Sequence, residues 1–338
     1  QIDEGIRAEF RDAGHLLGSA SVRMTLTEGD KTRTIVFSGD IGNKNQPIIR
    51  DPQYFHAAAD VVLTESTYGD RLHTEIAYKN EELAKIFDET FKKGGNVVIP
   101  SFAVGRTQEL LYYMKRILKK GLVYGLEKVP VFIDSPLGIE ATKVYERCAK
   151  GYYDEEAMEM AKDGSPFDFP SLRIAQTAEE SKLINSYSSS KIIISSSGMC
   201  DAGRIRHHLK HGLYRADCTV LFTGYQAQGT LGRALVDGVK KVKILGEEVH
   251  VNAAIVQLDG FSGHAGMDEL IGWVESMKHK PRKVMLVHGE TESLLNLSKE
   301  LQTRGHDTFI PYIGDSYDLE HNTTRTSAEA TAVFKLET

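Results

Sequence analysis

The stretch Val284-Met285-Leu286-Val287-His288-Gly289-Glu290 is a short apolar run that ends in a histidine, a glycine and a carboxylate. The same arrangement occurs upstream, where the apolar run 253–258 leads to Ser262-Gly263-His264-Ala265. Short apolar runs bounded by glycine predict strands inside a sheet, and polar side chains at strand ends often converge on a ligand. Both stretches therefore predict a histidine at the edge of a sheet.

Three sites in the N-terminal part carry residues of the same kinds. Ile35-Val36-Phe37 leads to Asp40, Val61-Val62-Leu63 leads to Glu65, and Gly14-His15 lies further upstream. One such residue alone is more often a turn cap or a surface residue. Histidines and an aspartate at matching strand ends instead suit a zinc site that keeps a position open for water. The five sites together predict a shared metallohydrolase site.

These segments resemble the motifs of the metallo-β-lactamase superfamily, specifically its beta-CASP branch of nucleic-acid-processing nucleases. Gly14-His15 resembles the third metal motif of the family, and Ser38-Gly39-Asp40 resembles the fourth. Residues 64–69, 262–265 and 287–290 resemble motifs A, B and C, in that order. The resemblance runs from Phe10 to about Leu319. It implies an α/β fold: the C-terminal portion of an αββα sandwich carrying an inserted parallel-sheet beta-CASP domain.

The chain length and the order of apolar runs fit two domains. We expect the first part of the metallo-β-lactamase domain at 1–70, the beta-CASP insert at 71–237, the return segment, of the RNA-metabolising type, at 238–319, and a tail at 320–338. Alternating apolar runs and helical stretches within the insert predict βαβ units and a parallel sheet. Clefts between domains are common ligand sites, so we expect the active site there.

The patterns also place individual elements. Strands are expected at 6–11, 21–27, 31–37, 61–63, 96–100, 129–134, 191–195 and 219–223, and again within 242–258. Helices are expected at 75–93, 107–120, 139–150, 179–186, 267–278 and 292–304. Trp273 falls on an apolar helical position and is expected in the core.

Three strand-to-helix turns in the insert share one composition. Residues 100–107, 195–204 and 223–233 each combine small residues, glycine, a helix N-terminus and an arginine, which is a means of binding phosphate. They also resemble beta-CASP segments that bind an RNA backbone. The candidate substrate-binding residues are Ser101, Arg106, Ser197, Gly198, Gly203, Arg204, Gly224, Tyr225 and Arg233. Such turns are often glycine-rich for steric reasons alone, so each one by itself is a weak signal.

The resemblance also implies roles for the five strand-end residues. His15 would bind one zinc ion and His288 the other, with Asp40 bridging both. His264 would be the general acid for the leaving oxygen, and Glu65 would hydrogen-bond it, fix its tautomer and raise its pKa. From the residues alone, His264 could equally be a metal ligand.

The sequence departs from the family at one point. In the family, further metal ligands come from a His-x-His-x-Asp-His motif that precedes the third metal motif. Here only eleven residues precede Asp12-Ala13-Gly14-His15. The nearest alternative, His207-His208-Leu209-Lys210-His211, contains no Asp and is interpreted as an exposed or RNA-facing helix surface. We therefore expect the chain to be the C-terminal three-quarters of a longer enzyme, with two zinc ions in the full polypeptide and incomplete or no zinc binding in these residues alone.

The most specific prediction for the function of the protein is a zinc-dependent ribonuclease that hydrolyses RNA phosphodiester bonds. A DNA-processing nuclease of the same branch is a rival, although such members carry a residue other than histidine at the position of His288. A small-substrate hydrolase of the superfamily would lack the insert. A non-catalytic RNA-binding scaffold with the same fold is the alternative from a different class.

Composition indicates the cellular compartment and the kinds of binding partner to expect. The three cysteines form no CxxC pair, which favours the reducing cytoplasm, and no apolar run reaches the length of a membrane span. The net charge of −6 argues against a broadly basic surface but permits a local basic cleft. RNA is the expected partner, a membrane is not, and the oligomeric state stays open, a homodimer included.

Overall fold

The computed structural model describes residues 1–72, 78–258 and 260–327. The chain divides into two compact units. The first unit comprises residues 1–46, 50–73 and 263–338, and the second comprises 47–49 and 74–262. No helix among the described residues is both long and apolar enough to span a membrane.

The strands and helices alternate along most of the chain. The strands are β1 (Ile6–Asp12), β2 (Ala20–Glu28), β3 (Lys31–Phe37), β4 (Val61–Thr64), β5 (Val97–Pro100), β6 (Val131–Asp134), β7 (Leu172–Ile174), β8 (Ile192–Ser195), β9 (Thr219–Phe222), β10 (Lys241–Ile244), β11 (Glu247–His250), β12 (Ala254–Gln257), β13 (Lys283–Leu286), β14 (Thr308–Phe309), β15 (Ser316–Asp318) and β16 (Thr323–Arg325). The helices are α1 (Lys79–Lys92), α2 (Arg106–Lys120), α3 (Pro136–Arg147), α4 (Ala149–Tyr152), α5 (Glu155–Lys162), α6 (Ala178–Ser186), α7 (Ile205–Gly212), α8 (Leu231–Val236), α9 (Met267–Glu275) and α10 (Thr291–Thr303).

The first unit is built on a six-stranded sheet of order β1-β2-β3-β4-β13-β14. Strands β1 to β3 are antiparallel, while β3, β4, β13 and β14 are parallel. Helices α9 and α10 pack on this sheet through Trp273 and Leu297, against Val36, Val62 and Val284. Trp273 is fully buried, which confirms its predicted place in the core.

The second unit is built on a six-stranded sheet of order β12-β9-β5-β8-β6-β7, in which every pairing is parallel. Its central strands are continuous apolar runs, as expected when both faces of a parallel sheet are covered. Val98, Ile193 and Val220 form its core with Ile205 and Leu209 of α7. The predicted parallel α/β arrangement is confirmed.

The second unit extends further along the chain than the expected insert did. Strand β12 pairs in parallel with β9, with Ala254 opposite Thr219, and the second unit runs to residue 262. Strands β10 and β11 form a separate antiparallel pair. A short apolar run shows that a strand exists, but not which sheet supplies its hydrogen-bonding partner.

The other predicted elements agree closely, with two exceptions. The helix expected at 75–93 is observed from Lys79, and residues 75–77 lie outside the described residues. Part of the tail expected at 320–338 forms β16, which pairs with β15; residues 328–338 lie outside the described residues. The remaining helices, and the strands before residue 224, end within three residues of their predicted bounds.

Candidate active site

Three of the predicted site residues follow neighbouring parallel strands of the first unit. Glu65 directly follows β4, while Asp40 and His288 come shortly after β3 and β13. The register places Leu63 of β4 opposite Phe37 on one side and Met285 on the other. The three strands therefore end together, and the residues that follow them gather at one edge of the sheet.

The carboxylate of Asp40 lies between two histidines. Its Oδ1 is 3.5 Å from Nε2 of His288, and its Oδ2 is 3.9 Å from Nε2 of His15. Each oxygen of Asp40 thus has its own histidine neighbour. This is the arrangement that a carboxylate bridging two metal ions would need.

His264 completes the group. Its ring centroid lies 4.4 Å from that of His15 and 5.9 Å from that of His288. His15, Asp40 and His264 each offer one ligand atom within 4.8 Å of the others, and they form a potential metal-binding group among the described residues. Imidazole nitrogens with a carboxylate oxygen are ligands that zinc accepts, so the residues present fit a zinc site.

The ring of His15 is held in one tautomer. Its Nδ1 lies 2.9 Å from the carbonyl oxygen of Gly263. A carbonyl only accepts hydrogen bonds, so Nδ1 carries the proton and Nε2 presents a lone pair on the side of Asp40. Burial lowers the pKa of His15, and the neighbouring His264 lowers it further. The ring is therefore neutral at neutral pH, which is the form that binds a metal.

Glu65 is a buried carboxylate that contacts His264. Its Oε2 lies 3.0 Å from Nδ1 of His264, and its Oε1 accepts a hydrogen bond of 2.6 Å from the backbone N–H of Ile41. Burial acts to raise the pKa of Glu65, but the hydrogen bond from His264, its charge, and the bonds from Thr67 and Ile41 outweigh it and lower the pKa. Glu65 therefore stays ionised and holds a proton on Nδ1 of His264.

The backbone around His288 is constrained by the segment that follows β4. His288 has a φ of 52°, a left-handed conformation that non-glycine residues adopt rarely and often at functional sites. Its carbonyl accepts hydrogen bonds from the N–H of Ser66 and the hydroxyl of Thr67. A Cβ at Gly289 would lie 2.7 Å from the carbonyl oxygen of Ser66. Only glycine permits this approach, which positions the His288 side chain relative to Glu65.

The three glycine-rich turns of the second unit lie on one edge of its sheet, because β5, β8 and β9 are parallel neighbours. Their arginines, however, already have carboxylate partners. Arg106 pairs with Glu109, and both side chains are about nine-tenths buried. Arg233 pairs with Asp237 at 2.9 Å and keeps 34% of its side chain exposed. Both pairs join residues three or four positions apart in the chain, and they give the arginines a second role inside the fold.

Arg204 is the most extensively bonded of the three. It donates to Asp134 at 2.7 Å and to the backbone carbonyls of Ala175 and Gln176. Its side chain is 23% exposed, whereas that of Asp134 is completely buried. This guanidinium therefore neutralises a buried carboxylate, a role that competes with phosphate binding.

The remaining predicted turn residues differ in accessibility. Ser101 is buried, with its hydroxyl in contact with Thr107 and with the carbonyl of Phe102. Gly198 is also buried. Ser197, Gly224 and Tyr225 are partly exposed, and Gly203 is exposed with a φ of 79°. The exposed and half-exposed members are those that a ligand can reach.

The interpretation of residues 207–211 as an exposed surface is wrong for His208. The side chain of His208 is completely buried; its Nε2 lies 2.6 Å from Oδ2 of Asp134 and its Nδ1 lies 2.9 Å from Oδ1 of Asn185. His207 and His211 are exposed. Residues three and four apart share a helix face, and the buried residues of α7 are Ile205, His208, Leu209 and Gly212. That spacing was visible in the sequence and could have identified His208 as buried.

The fold and the site define a metal-dependent hydrolase. Residues 107–235 match the family model of the Beta-Casp domain, and residues 248–311 match that of the Zn-dependent metallo-hydrolase RNA specificity domain. The chain belongs to the beta-CASP nuclease branch of the metallo-β-lactamase superfamily.

Its curated relatives include proteins of bacteria and archaea. Ribonuclease TTHA0252 of Thermus thermophilus is 39% identical over 308 residues, which are 90% of this chain and 68% of that protein. An RNase J-like protein of Methanocaldococcus jannaschii is 32% identical over 318 residues, or 93% of this chain and 71% of that protein. Transcription termination factor FttA of the same archaeon is 30% identical over 323 residues, but the match spans only 49% of its length.

Proposed function

We propose that this protein is a zinc-dependent ribonuclease that hydrolyses RNA phosphodiester bonds. The observation that carries the proposal is the position of Asp40, which has one histidine beside each carboxylate oxygen, with the Glu65–His264 pair adjacent. The match to an RNA specificity domain and the relatives named ribonuclease and RNase J-like support RNA as the substrate.

His15, Asp40 and His288 would hold the metal, with His15 and His288 serving different zinc ions and Asp40 shared between them, and we infer two ions per full-length polypeptide. Zinc held there would supply a lowered pKa for an attacking water and stabilisation of negative charge on the phosphoryl oxygens. The chain's contribution is to fix the ligands. Gly263 orients the ring of His15, and the backbone bonds to Ser66 and Thr67 hold His288 in position.

We assign His264 as the general acid. Glu65 is a buried carboxylate that holds the Nδ1 proton of His264 and orients the ring. Nε2 is then the atom that would deliver a proton to the leaving oxygen. The His264 side chain is 21% exposed, so a substrate oxygen can approach it.

A metal-ligand role for His264 is the specific alternative, because His15, Asp40 and His264 lie within metal-binding distance of one another. A buried carboxylate on Nδ1 also orients histidines that ligate metals. The two roles differ in metal content. Loss of a ligand would empty or weaken a zinc site, whereas loss of an acid would not.

The proposal is tested with the purified protein, zinc, and labelled single-stranded RNA and DNA of one sequence. We expect cleavage of the RNA, loss of cleavage with a chelator, recovery with added zinc, and two zinc ions per molecule of the full-length polypeptide by elemental analysis. Preferential cleavage of the DNA would favour the DNA-processing candidate. RNA binding without cleavage at saturating zinc would favour the non-catalytic scaffold.

A further inference from the structure

Phe102 is a large apolar side chain in an unusual place. It follows β5 in the first glycine-rich turn of the second unit, and 46% of it is exposed. Aromatic side chains of this size bury about 150–250 Å² when fully covered, so the exposed part amounts to roughly 100 Å². That is far below the area of about 1,000 Å² that a stable protein–protein interface needs, but it is comparable to one face of a nucleobase.

The turn holds Phe102 firmly. Its carbonyl accepts hydrogen bonds from the hydroxyls of Ser101 and Thr107, at 3.1 and 2.8 Å, and from the N–H of Thr107 at 3.2 Å. The turn is tied to its neighbour by the bond from the N–H of Ser101 to the carbonyl of Ser195. The exposed ring is therefore attached to a backbone segment fixed by four hydrogen bonds.

One side of the ring is covered by the second glycine-rich turn. A Cβ at Gly198 would lie 2.9 Å from both Cδ2 and Cε2 of Phe102, so the ring packs directly on the Gly198 backbone. Gly198 is held in turn by its carbonyl, which accepts a hydrogen bond from the buried amide of Gln226 in the third turn. All three turns thus contribute to a rigid support beneath a partly open aromatic ring.

We propose that Phe102 is a stacking platform for one base of a single-stranded RNA substrate. The proposal rests on the proposed ribonuclease function. Fixed aromatic rings with an accessible surface bind bases of any identity, because every base has a π-face, and they contribute affinity with little sequence preference. It follows that position 198 requires glycine, because any side chain there would displace the ring.

The test measures binding by fluorescence anisotropy, with a short labelled single-stranded RNA and with a set of RNAs that each lack one base. All proteins carry His264→Ala so that turnover does not consume the RNA. We expect one abasic position to weaken binding by about five- to 150-fold, the range of base–aromatic stacking. Phe102→Ala should weaken binding of intact RNA by a similar factor. It should weaken binding little further when the RNA already lacks the base at that position.

Matched variants separate stacking from general damage. Tyr124→Ala removes a different aromatic side chain of the second unit, one that is fully exposed, and should leave RNA affinity unchanged. Phe102→Trp should retain the affinity and Phe102→Leu should lose most of it, because only the former keeps a π-face. Melting temperatures of all variants show whether any loss of affinity reflects unfolding.

The outcomes distinguish the two levels of the proposal. If the protein without His264→Ala cleaves RNA and the His264→Ala parent binds it, but Phe102→Ala and every abasic position act independently, the platform is overturned and the ribonuclease function stands. Full retention of affinity in Phe102→Leu would likewise overturn it, because a merely apolar contact would then suffice. Failure of the parent protein to bind or cleave any RNA would overturn the ribonuclease function, and the platform with it.

Discussion

The two units each contain a histidine paired with a buried carboxylate. In the second unit, Nε2 of His208 lies 2.6 Å from Asp134; in the first unit, Nδ1 of His264 lies 3.0 Å from Glu65. The side chains of Asp134 and Glu65 are 0% and 1% exposed. On the basis of the pair alone, the two would have the same chemistry.

Their surroundings differ. His208 is completely buried, both of its ring nitrogens are hydrogen-bonded, and Asp134 also binds Arg204 and Ser181. His264 is partly exposed and lies beside the rings of His15 and His288. A histidine–carboxylate pair therefore indicates a reactive site only when the histidine is accessible and other ligating groups are close to it. The pair in the second unit is expected to stabilise the fold.

The largest effect is expected for His264→Ala. Loss of a general acid typically lowers the rate by about 10² to 10⁴, and zinc content and RNA affinity should change little. Rate, bound zinc and RNA affinity are measured on the same preparation, with His207→Ala, an exposed histidine of α7, as the control. Loss of zinc from the His264 variant would instead identify it as a ligand.

Asp134→Asn should act on stability. Removing one member of a buried ion pair costs about 3–5 kcal/mol, so we expect a loss near 3 kcal/mol in the free energy of unfolding. Asp237→Asn, which alters the exposed pair with Arg233, should change it by less than about 0.5 kcal/mol. Denaturant titration distinguishes the two. A stable Asp134 variant with a selective loss of catalysis would contradict the division drawn between the pairs.

The difference in unfolding free energy between the parent protein and Asp134→Asn should depend on pH in a defined direction. Burial acts to raise the pKa of Asp134, but hydrogen bonds from His208, Ser181 and Arg204 outweigh it and lower the pKa. A carboxyl with a lowered pKa in the folded state stabilises the fold above its unfolded pKa of about 4. This stabilisation is lost as the pH falls through the folded pKa. The stability gap between the parent and Asp134→Asn should therefore be widest near neutral pH and narrow in acid.

Glu65→Gln should have a smaller catalytic effect than His264→Ala. A carboxylate that orients a functional histidine typically contributes about 10- to 100-fold, and the amide keeps an acceptor but loses the charge. If Glu65 acts through His264, the double variant should be no slower than His264→Ala alone. Steady-state rates of the four proteins measure this coupling, and additive losses would assign Glu65 a separate role.

The smallest effect is expected from Arg233, and Arg204 should differ from it. Arg233→Ala should reduce the slope of log affinity against log salt by about one with little loss of stability, as for one lost phosphate contact. Arg204→Ala should mainly lower the melting temperature, because it leaves Asp134 without its cation. RNA titrations at several salt concentrations and a melting curve test both variants. An unchanged slope for Arg233→Ala would leave the phosphate-binding hypothesis for that turn without support.

The candidate site residues could be proposed from the sequence because their signals are local. His15, Asp40, Glu65, His264 and His288 each stand close to a glycine or at the end of an apolar run, and both features are visible without a fold. The parallel sheet of the second unit was equally predictable, since both-face burial produces continuous apolar strands. The expected contact between Glu65 and His264 is present in the structure.

Only the tertiary structure decided the features that depend on distant partners. The pairing of β12 with β9 is a contact between remote segments, so the apolar run alone could not assign β12 to a sheet. The partners of Arg204 and His208 lie 70 and 74 residues away at Asp134, so composition near the turn and near α7 could not reveal them. The local sequence determines which residues carry the chemistry and which strands they follow. Burial and long-range pairing determine which of two similar histidines remains accessible to a substrate.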